Sequence, residues 1–208
     1  MREILKEIRK IPHLNALLSD TEKYPPPEAF CFDRNNFKVL VLGADPSNVS
    51  DNGKTILLRT VFGIGSGDQR YFNEILKNLK IIDLGLEDIY VQNLIPVYMK
   101  SETGKNKLWD EMALHWIEYL EKEFNKIDRS RKKPVLVTAH RILKVLMNDG
   151  EKLLRPVDYY REPDTIPIEP QRNQLNRWLV PFYRHYKYQL GAMKWRRYRD
   201  RLRVVIVT

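Results

Sequence analysis

The stretch FKVLVLGADPSNVS (residues 37–50) decides the fold class of this chain. Residues 39–42 are consecutive apolar side chains, the pattern of a strand buried on both faces of a sheet. The run stops at Gly43, and Asp45 and Pro46 follow at once. In open α/β folds, ligands bind just beyond the carboxyl ends of such strands. The stretch therefore predicts an α/β fold, and it raises the question of what Asp45 does at the end of the strand.

Composition restricts the class of partner. The chain has 208 residues, which suits one sizeable α/β domain, and 30% of them are charged, as in ordinary globular proteins. A total of 36 Lys and Arg against 27 Asp and Glu leaves a net charge of +9. This excess favours an anionic partner, with nucleic acid first. The single cysteine, Cys31, excludes an intramolecular disulfide and any site built from several cysteines of the chain.

The sequence pattern predicts neither a membrane span nor a secretory signal. No apolar run approaches the length of a membrane span. The first ten residues, MREILKEIRK, are too charged and amphipathic for a secretory signal. We therefore expect a cytoplasmic protein without a membrane partner. We also expect a monomer.

Strand and helix patterns alternate along the chain, which predicts parallel crossovers. Strands are expected at 38–42, 88–97, 133–140 and 177–185, and VVIVT (204–208) is a candidate for a fifth. Helices are expected at 2–18 with a break at Pro12, and at 68–82, 106–125, 141–148 and 189–203. We predict one domain over residues 1–208, with three α/β/α layers around a mostly parallel sheet of four or five strands. Residues 1–30 supply an N-terminal helix and the Pro-rich connector YPPPEAF.

Four of the expected strands end in residues with useful chemistry: Asp45, Asn93, His140 and His185. Parallel strands bring their carboxyl ends to one edge of the sheet, so these side chains are expected along a common rim. His140 also begins an expected helix, and for that residue we favour a structural role.

Other motifs fail on inspection. NGKT (52–55) lacks the glycine that a phosphate-binding loop needs, because position 48 is Asn. GIGSG (63–67) lacks the third glycine of a dinucleotide fingerprint and follows no strand. The four histidines show no metal-ligand spacing, and no serine elbow is present. We expect no metal and no cofactor.

Four segments in order resemble the motifs of the uracil-DNA glycosylase superfamily. They are VLVLGADPSN (39–48), TVFGIGSGDQRYFNEIL (60–76), IYVQNLIPV (89–97) and WLVPFYRHYKY (178–188). The resemblance implies a DNA glycosylase that hydrolyses the N-glycosidic bond of uracil or a related damaged base after flipping it out of the helix.

The resemblance also implies a role for each site residue. Asp45 would direct water at the sugar and stabilise its cationic transition state. His185 would stabilise the departing base. Three residues would hold the base: Asn93 through its amide, Phe62 by stacking and Ala44 through its backbone N–H.

Departures from the family pattern put the substrate in doubt. The first motif reads DPSN where DPYH is commonest in the family, so an aromatic that guards against thymine is missing. Tyr186 and Lys187 follow His185 in place of Pro and Ser, so phosphate contacts there must differ. The single cysteine rules out the iron–sulfur branches.

The segment KYQLGAMKWRRYRDRLR (187–203) predicts a basic helix. Trp195, Tyr198 and Leu202 form one apolar stripe, which leaves the basic residues on the other face. We interpret that face as a DNA-binding surface carried by Lys187, Lys194, Arg196 and Arg197, with an ordinary solvated face as the plain alternative.

Plainer readings remain open for the site residues too. An Asp before Pro is often only a turn former, and a buried Asn often only bonds to loop backbone. Two rival functions follow: a nucleic-acid-binding protein of the same fold that does not cleave, and a nucleoside or nucleotide hydrolase that uses the same rim.

Overall fold

The computed structural model describes residues 1–47, 55–65, 70–182 and 192–206, and within them the chain forms a five-stranded sheet of order β1-β3-β2-β4-β5. The strands are β1 (Phe30–Cys31), β2 (Val39–Gly43), β3 (Ile89–Asn93), β4 (Val135–Val137) and β5 (Leu179–Pro181). Four of them, β2 to β5, are parallel, and β1 pairs antiparallel with β3 at one edge. The predicted mostly parallel sheet is confirmed.

Strand β2 is the centre of the sheet. Its residues pair in register with β3 on one side, from Val39 opposite Ile89 to Gly43 opposite Asn93, and with β4 on the other. Every residue of β2 is buried. The unbroken apolar run of this strand is therefore explained by packing on both faces.

In the described parts of the chain, six helices flank the sheet. They are α1 (Arg2–Arg9), α2 (Pro12–Asn15), α3 (Arg70–Ile81), α4 (Trp109–Ile127), α5 (His140–Leu146) and α6 (Ala192–Arg203). Helix α4 packs against α1 and α5. The chain moves from β2 to β3 in one direction and from β3 to β4 in the other, so right-handed connections place α3 and α4 on opposite faces. The result is the three-layer α/β/α arrangement predicted from the sequence.

Pro12 interrupts the N-terminal helix as expected. Helix α1 ends at Arg9, and Pro12 is the first residue of α2, where its missing N–H costs nothing. Ile8 and Leu14 are fully buried, so the two short helices both contribute to the core.

Helix α6 lies on the α3 side of the sheet. Tyr198 is fully buried and Leu202 is 2% exposed, which confirms the predicted apolar stripe. Arg199 and Arg203 reach Asp83, just past the end of α3, at 3.9 and 3.4 Å. Since α3 leads into β3, Asp83 lies at the amino edge of the sheet. The first turn of α6 therefore points to the carboxyl edge.

The prediction of a last strand at 204–208 is wrong for its described part. After α6 the chain turns, with the Val204 and Val205 N–H groups bonded back to Arg201 and Leu202 carbonyls. The fifth strand is β1 instead. The outer edge of β3 is paired by β1, and the outer edge of β5 by an antiparallel bridge between Ile168 and Leu179.

That bridge belongs to residues 150–173, a Pro-rich excursion between α5 and β5. Three short 3-10 turns, Asp158–Tyr160, Pro163–Thr165 and Pro170–Arg172, organise it. The Tyr160 hydroxyl donates to the Val137 carbonyl at 2.7 Å, at the end of β4. The excursion therefore covers the β5 side of the sheet.

Candidate functional site

The strand order reverses direction at β2. From β2 the chain passes to β3 on one side, and only later to β4 on the other. In open parallel sheets, such a reversal leaves a crevice beyond the carboxyl ends of the two diverging strands. Asp45 lies two residues past the end of β2, and Asn93 is the last residue of β3. The sheet thus brings these two predicted site residues to the same edge.

Asp45 is held by three donors. Its Oδ1 accepts the Ser47 backbone N–H at 2.8 Å, as in an Asx turn. Its Oδ2 accepts the indole N–H of Trp109 at 2.8 Å and the Thr103 hydroxyl. Trp109 is fully buried at the start of α4, whereas Asp45 itself is half-buried. The carboxylate is therefore fixed in orientation just beyond the carboxyl end of β2.

Burial and hydrogen bonding act on Asp45 in opposite directions. Burial raises the pKa of its carboxyl above the ordinary value, and it outweighs the hydrogen bonds from Thr103, Ser47 and Trp109, which lower the pKa. A carboxylate with a raised pKa and fixed donors is suited to take up a proton during a reaction.

The Ser47 side chain ties this turn to the next strand. Its hydroxyl accepts the Met99 N–H at 2.7 Å, in the segment after β3. One residue earlier, the Tyr98 hydroxyl accepts the Leu58 N–H at 2.7 Å. The turn after β2, the segment after β3 and the loop at 55–60 are therefore one connected unit.

Phe62 and Asn93 meet over Gly43. A Cβ on Gly43 would come within 2.7 Å of Phe62 Cζ and would also overlap Asn93 Oδ1. Only glycine fits at this point, because any larger residue would push these two side chains apart. The structure thus brings together the predicted stacking residue and the predicted base-reading residue.

The Phe62 backbone is in the left-handed region, with φ of 59°. This conformation is costly for a bulky residue, and strain of this kind concentrates at binding sites. The surrounding turn holds it: the Val61 N–H donates to the Glu28 carbonyl and the Gly63 N–H to the Thr60 carbonyl, both at 2.9 Å. The Phe62 ring stacks on Phe72 of α3 at 6.2 Å between centroids.

Asn93 carries an unsatisfied acceptor. Asn93 is 3% exposed, and its Oδ1 has no hydrogen-bond partner within the described residues. Burying an acceptor without a donor costs on the order of 1–3 kcal/mol. A ligand that offers an N–H at this point would recover that cost.

Ala44 stands between Gly43 and Asp45 and is 5% exposed. Its carbonyl accepts the Ile95 N–H at 2.9 Å. Its own N–H meets no acceptor in the part of the chain that the structure describes. Within the described residues, an unpaired donor on Ala44 and an unpaired acceptor on Asn93 therefore lie at the ends of β2 and β3, with the acceptor beside the Phe62 ring.

Basic residues of α6 contact the excursion 150–173. Lys194 donates to the Arg161 carbonyl at 3.0 Å, and Arg197 lies 3.4 Å from Asp164. Lys194, Arg196 and Arg197 are all exposed. They lie on the half of α6 that points to the carboxyl edge, and no described contact joins them to Asp45, Phe62 or Asn93. His185 and Lys187 lie outside the described residues. His140 is exposed at the first position of α5.

Thr103 and Trp109 were missed by the sequence analysis. They lie 58 and 64 residues from Asp45, and no local pattern links such distant positions. One available signal was the polar segment 100–107, which follows β3 and so must also lie at the carboxyl edge. Another was Trp109 itself, because a buried indole N–H needs an acceptor.

No model of a known protein family matches this chain, and no curated protein is significantly similar to it. Among the described residues, no three His, Cys, Asp or Glu side chains gather as a metal site would require. No helix in that part of the chain is long and apolar enough to span a membrane.

Proposed function

We propose that this chain is a monofunctional DNA glycosylase that hydrolyses the N-glycosidic bond of uracil or a related damaged base. The observation that carries the proposal is the unsatisfied Oδ1 of Asn93, buried against the Phe62 ring over Gly43. A ligand that fits both groups would offer an N–H to this acceptor and a flat face to the ring. A nucleobase is such a ligand.

Base recognition follows from the donors and acceptors of the pocket. Uracil presents an N3–H donor between two carbonyl acceptors. The Asn93 Oδ1 would accept N3–H, and the Ala44 N–H would donate to a carbonyl. The unpaired groups of both residues match this pattern. Phe62 would stack on the face of the base, and flipping would bring the base into the pocket.

Asp45 would act on the water and on the sugar. Thr103 and Trp109 both donate to Asp45 Oδ2, so Oδ1, which accepts the Ser47 N–H, would be the oxygen that contacts a water. Its negative charge would stabilise the oxocarbenium-like sugar as the bond to the base breaks. His185 would donate to the departing base anion.

DNA is the expected partner. The net charge of +9 favours a polyanion, and Lys194, Arg196 and Arg197 are exposed on the first half of α6. Together with Lys187 they would contact phosphates beside the pocket. The protein would work in the cytoplasm, as a monomer and without a cofactor.

A non-cleaving nucleic-acid-binding protein is the second candidate. The observation that favours it is the set of three donors on Asp45, because a purely structural turn residue would also collect such contacts. A nucleoside or nucleotide hydrolase using the same pocket is the third. It would need no DNA, so the salt dependence of DNA binding distinguishes it from the other two.

The deciding experiment is a base-release assay on labelled oligonucleotides, single-stranded and duplex. They would carry uracil, hypoxanthine, xanthine or a G·T mismatch. We expect abasic product from the wild type and none from Asp45→Asn. Salt-sensitive binding without product on any substrate would overturn the glycosylase and favour the binder. Release from free nucleosides alone would favour the small-molecule hydrolase.

A further inference from the structure

Arg141, the second residue of α5, connects the groups that hold Asp45. Its Nη1 donates to the Thr103 carbonyl, and its guanidinium lies over the Trp109 ring with Cζ 5.3 Å from the centroid. Thr103 and Trp109 are the two residues whose side chains donate to Asp45 Oδ2. Arg141 thus contacts both donors without a described contact to Asp45 itself.

Arg141 is itself held on two sides. Its Nε donates to Asp110 Oδ1, in the first turn of α4 beside Trp109. Its own helix is anchored to β2, because the Thr138 N–H and hydroxyl both donate to the Leu42 carbonyl, at 3.1 and 2.9 Å. Leu42 is three residues before Asp45, so Arg141 has a fixed position relative to the carboxylate.

We propose that Arg141 is the positioning residue for Asp45, holding the Thr103 loop and the Trp109 indole so that both donate to Oδ2. The expected effect on base release rests on the proposed function. The expected effect on the positions of Thr103 and Trp109 does not. Arg141 is 21% exposed and acts through a planar group that serves a carbonyl, a carboxylate and a ring at once. A lysine cannot reproduce that geometry, because its ammonium is a single point charge.

The chain offers a matched control in Lys144. It lies three residues further along α5 and donates to the other oxygen of the same carboxylate, Asp110 Oδ2, at 2.7 Å. No described contact joins it to Thr103 or Trp109. Lys144→Gln therefore removes one positive charge from Asp110, as Arg141→Gln does, and leaves the two donors of Asp45 alone.

The first readout is the indole N–H signal of Trp109 in a ¹H–¹⁵N spectrum, assigned with Trp109→Phe among the four tryptophans. All variants are compared at the same pH, so that only the substitution changes the surroundings of the indole. A hydrogen bond to a carboxylate moves this proton downfield. We expect Arg141→Gln to move it upfield, Arg141→Lys to move it part of the way, and Lys144→Gln to leave it in place.

The second readout is the kinetics of base release. Arg141→Gln is expected to lower kcat on the order of 10- to 100-fold with KM nearly unchanged, since misplaced catalytic groups cost rate more than binding. Lys144→Gln is expected to keep both constants. Thermal unfolding verifies that each variant is folded, and Arg141→Lys carries the test if Arg141→Gln is not.

A Trp109 signal that stays in place in the Arg141 variants, or moves equally in Lys144→Gln, would overturn the inference. So would an unchanged kcat in an active enzyme whose indole signal has moved. If the wild type releases no base, the proposed function fails, while the indole signal still decides whether Arg141 positions the donors of Asp45.

Discussion

The Oδ1 of Asn93 and the ring of Phe62 both lie against Gly43, in the space that a Cβ at this position would fill. Gly43→Ala is therefore expected to cost about 1–3 kcal/mol in the free energy of unfolding, as overpacking does, and to abolish base release by displacing both side chains. Denaturant unfolding and the oligonucleotide assay measure the two effects. Gly104→Ala is the control, because its Cβ would meet nothing within 4 Å. Equal costs at the two glycines would contradict the prediction.

Asn93→Leu is expected to weaken function without weakening the fold. The substitution removes an acceptor that has no partner in the described residues, so the free energy of unfolding should stay the same or rise by about 1 kcal/mol. Base release should be lost. Asn173→Leu is the opposite case, because the Asn173 side chain bonds to three backbone groups, and we expect a loss of stability there. Marked destabilisation by Asn93→Leu would indicate a structural role for Asn93.

The pH dependence of stability should carry the signature of Asp45. Its pKa is raised in the folded protein, so the folded state keeps this proton to higher pH than the unfolded chain. The resulting stabilisation is complete below the ordinary value of 3.8 and is lost as pH rises through the raised value. Relative to Asp45→Asn, the wild type should therefore lose stability from about pH 4 upward. Urea unfolding of both proteins at several pH values measures this, and a constant difference between them would contradict it.

A buried ion pair is expected to lose its stabilising effect at acid pH, the opposite of the pH dependence expected for Asp45. Arg177, fully buried at the start of the segment leading into β5, lies 2.5 Å from Asp128 at the end of α4. Burial raises the pKa of Asp128, but hydrogen bonds from Ser130, Arg177 and the Lys133 N–H outweigh it and leave the pKa low. This stabilisation is present above the ordinary pKa and is lost as pH falls through the lowered one.

Asp128→Asn should accordingly cost about 3–5 kcal/mol at neutral pH, since it leaves Arg177 buried without a counter-charge. The difference from the wild type should shrink as pH falls below about 4, where Asp128 of the unfolded chain takes up a proton, and vanish once pH is below the lowered pKa of the folded protein. Lys122→Gln, which breaks an exposed pair with Glu118, should leave the free energy of unfolding unchanged. A small effect of Asp128→Asn at neutral pH would show that the pair is not a main support of the fold.

Basic residues at the two ends of α6 should differ in their effect on DNA binding. Arg196→Gln removes a charge on the half that points to the carboxyl edge. We expect weaker binding and a salt slope lower by about 0.9 per lost contact with duplex. Arg203→Gln removes the same charge at the amino edge, where Arg203 pairs with Asp83, and should leave the slope unchanged. Fluorescence anisotropy across a salt series compares them, and equal slopes would contradict the assigned surface.

Local patterns in the sequence predicted most of the fold. The apolar run at 39–42 became the central strand, and the stripe of Tyr198 and Leu202 packed as expected. The strand prediction at 204–208 was wrong for its described part, because β-propensity alone forms no strand without a free sheet edge. Ile168 and β1 already pair with the two outer edges. Within the candidate site, residues near a strand end could be predicted, as Asp45 and Asn93 were. The Thr103, Trp109 and Arg141 contacts could not, because only the packing of α4 and α5 brings them together.

Two tyrosine hydroxyls bind the strand-end carbonyls on the β4 and β5 side of the sheet's carboxyl edge. The Tyr160 hydroxyl bonds to the last residue of β4, and the Tyr198 hydroxyl bonds to the Pro181 carbonyl at the end of β5, at 2.8 Å. The polar groups of these two strand ends are thus already satisfied from within the protein. Among the described residues, the unpaired Asn93 Oδ1 and Ala44 N–H lie instead at the ends of β3 and β2, two neighbouring strands about 5 Å apart. On the proposed function, a flipped base is therefore expected to enter over β2 and β3, and not over β4 and β5.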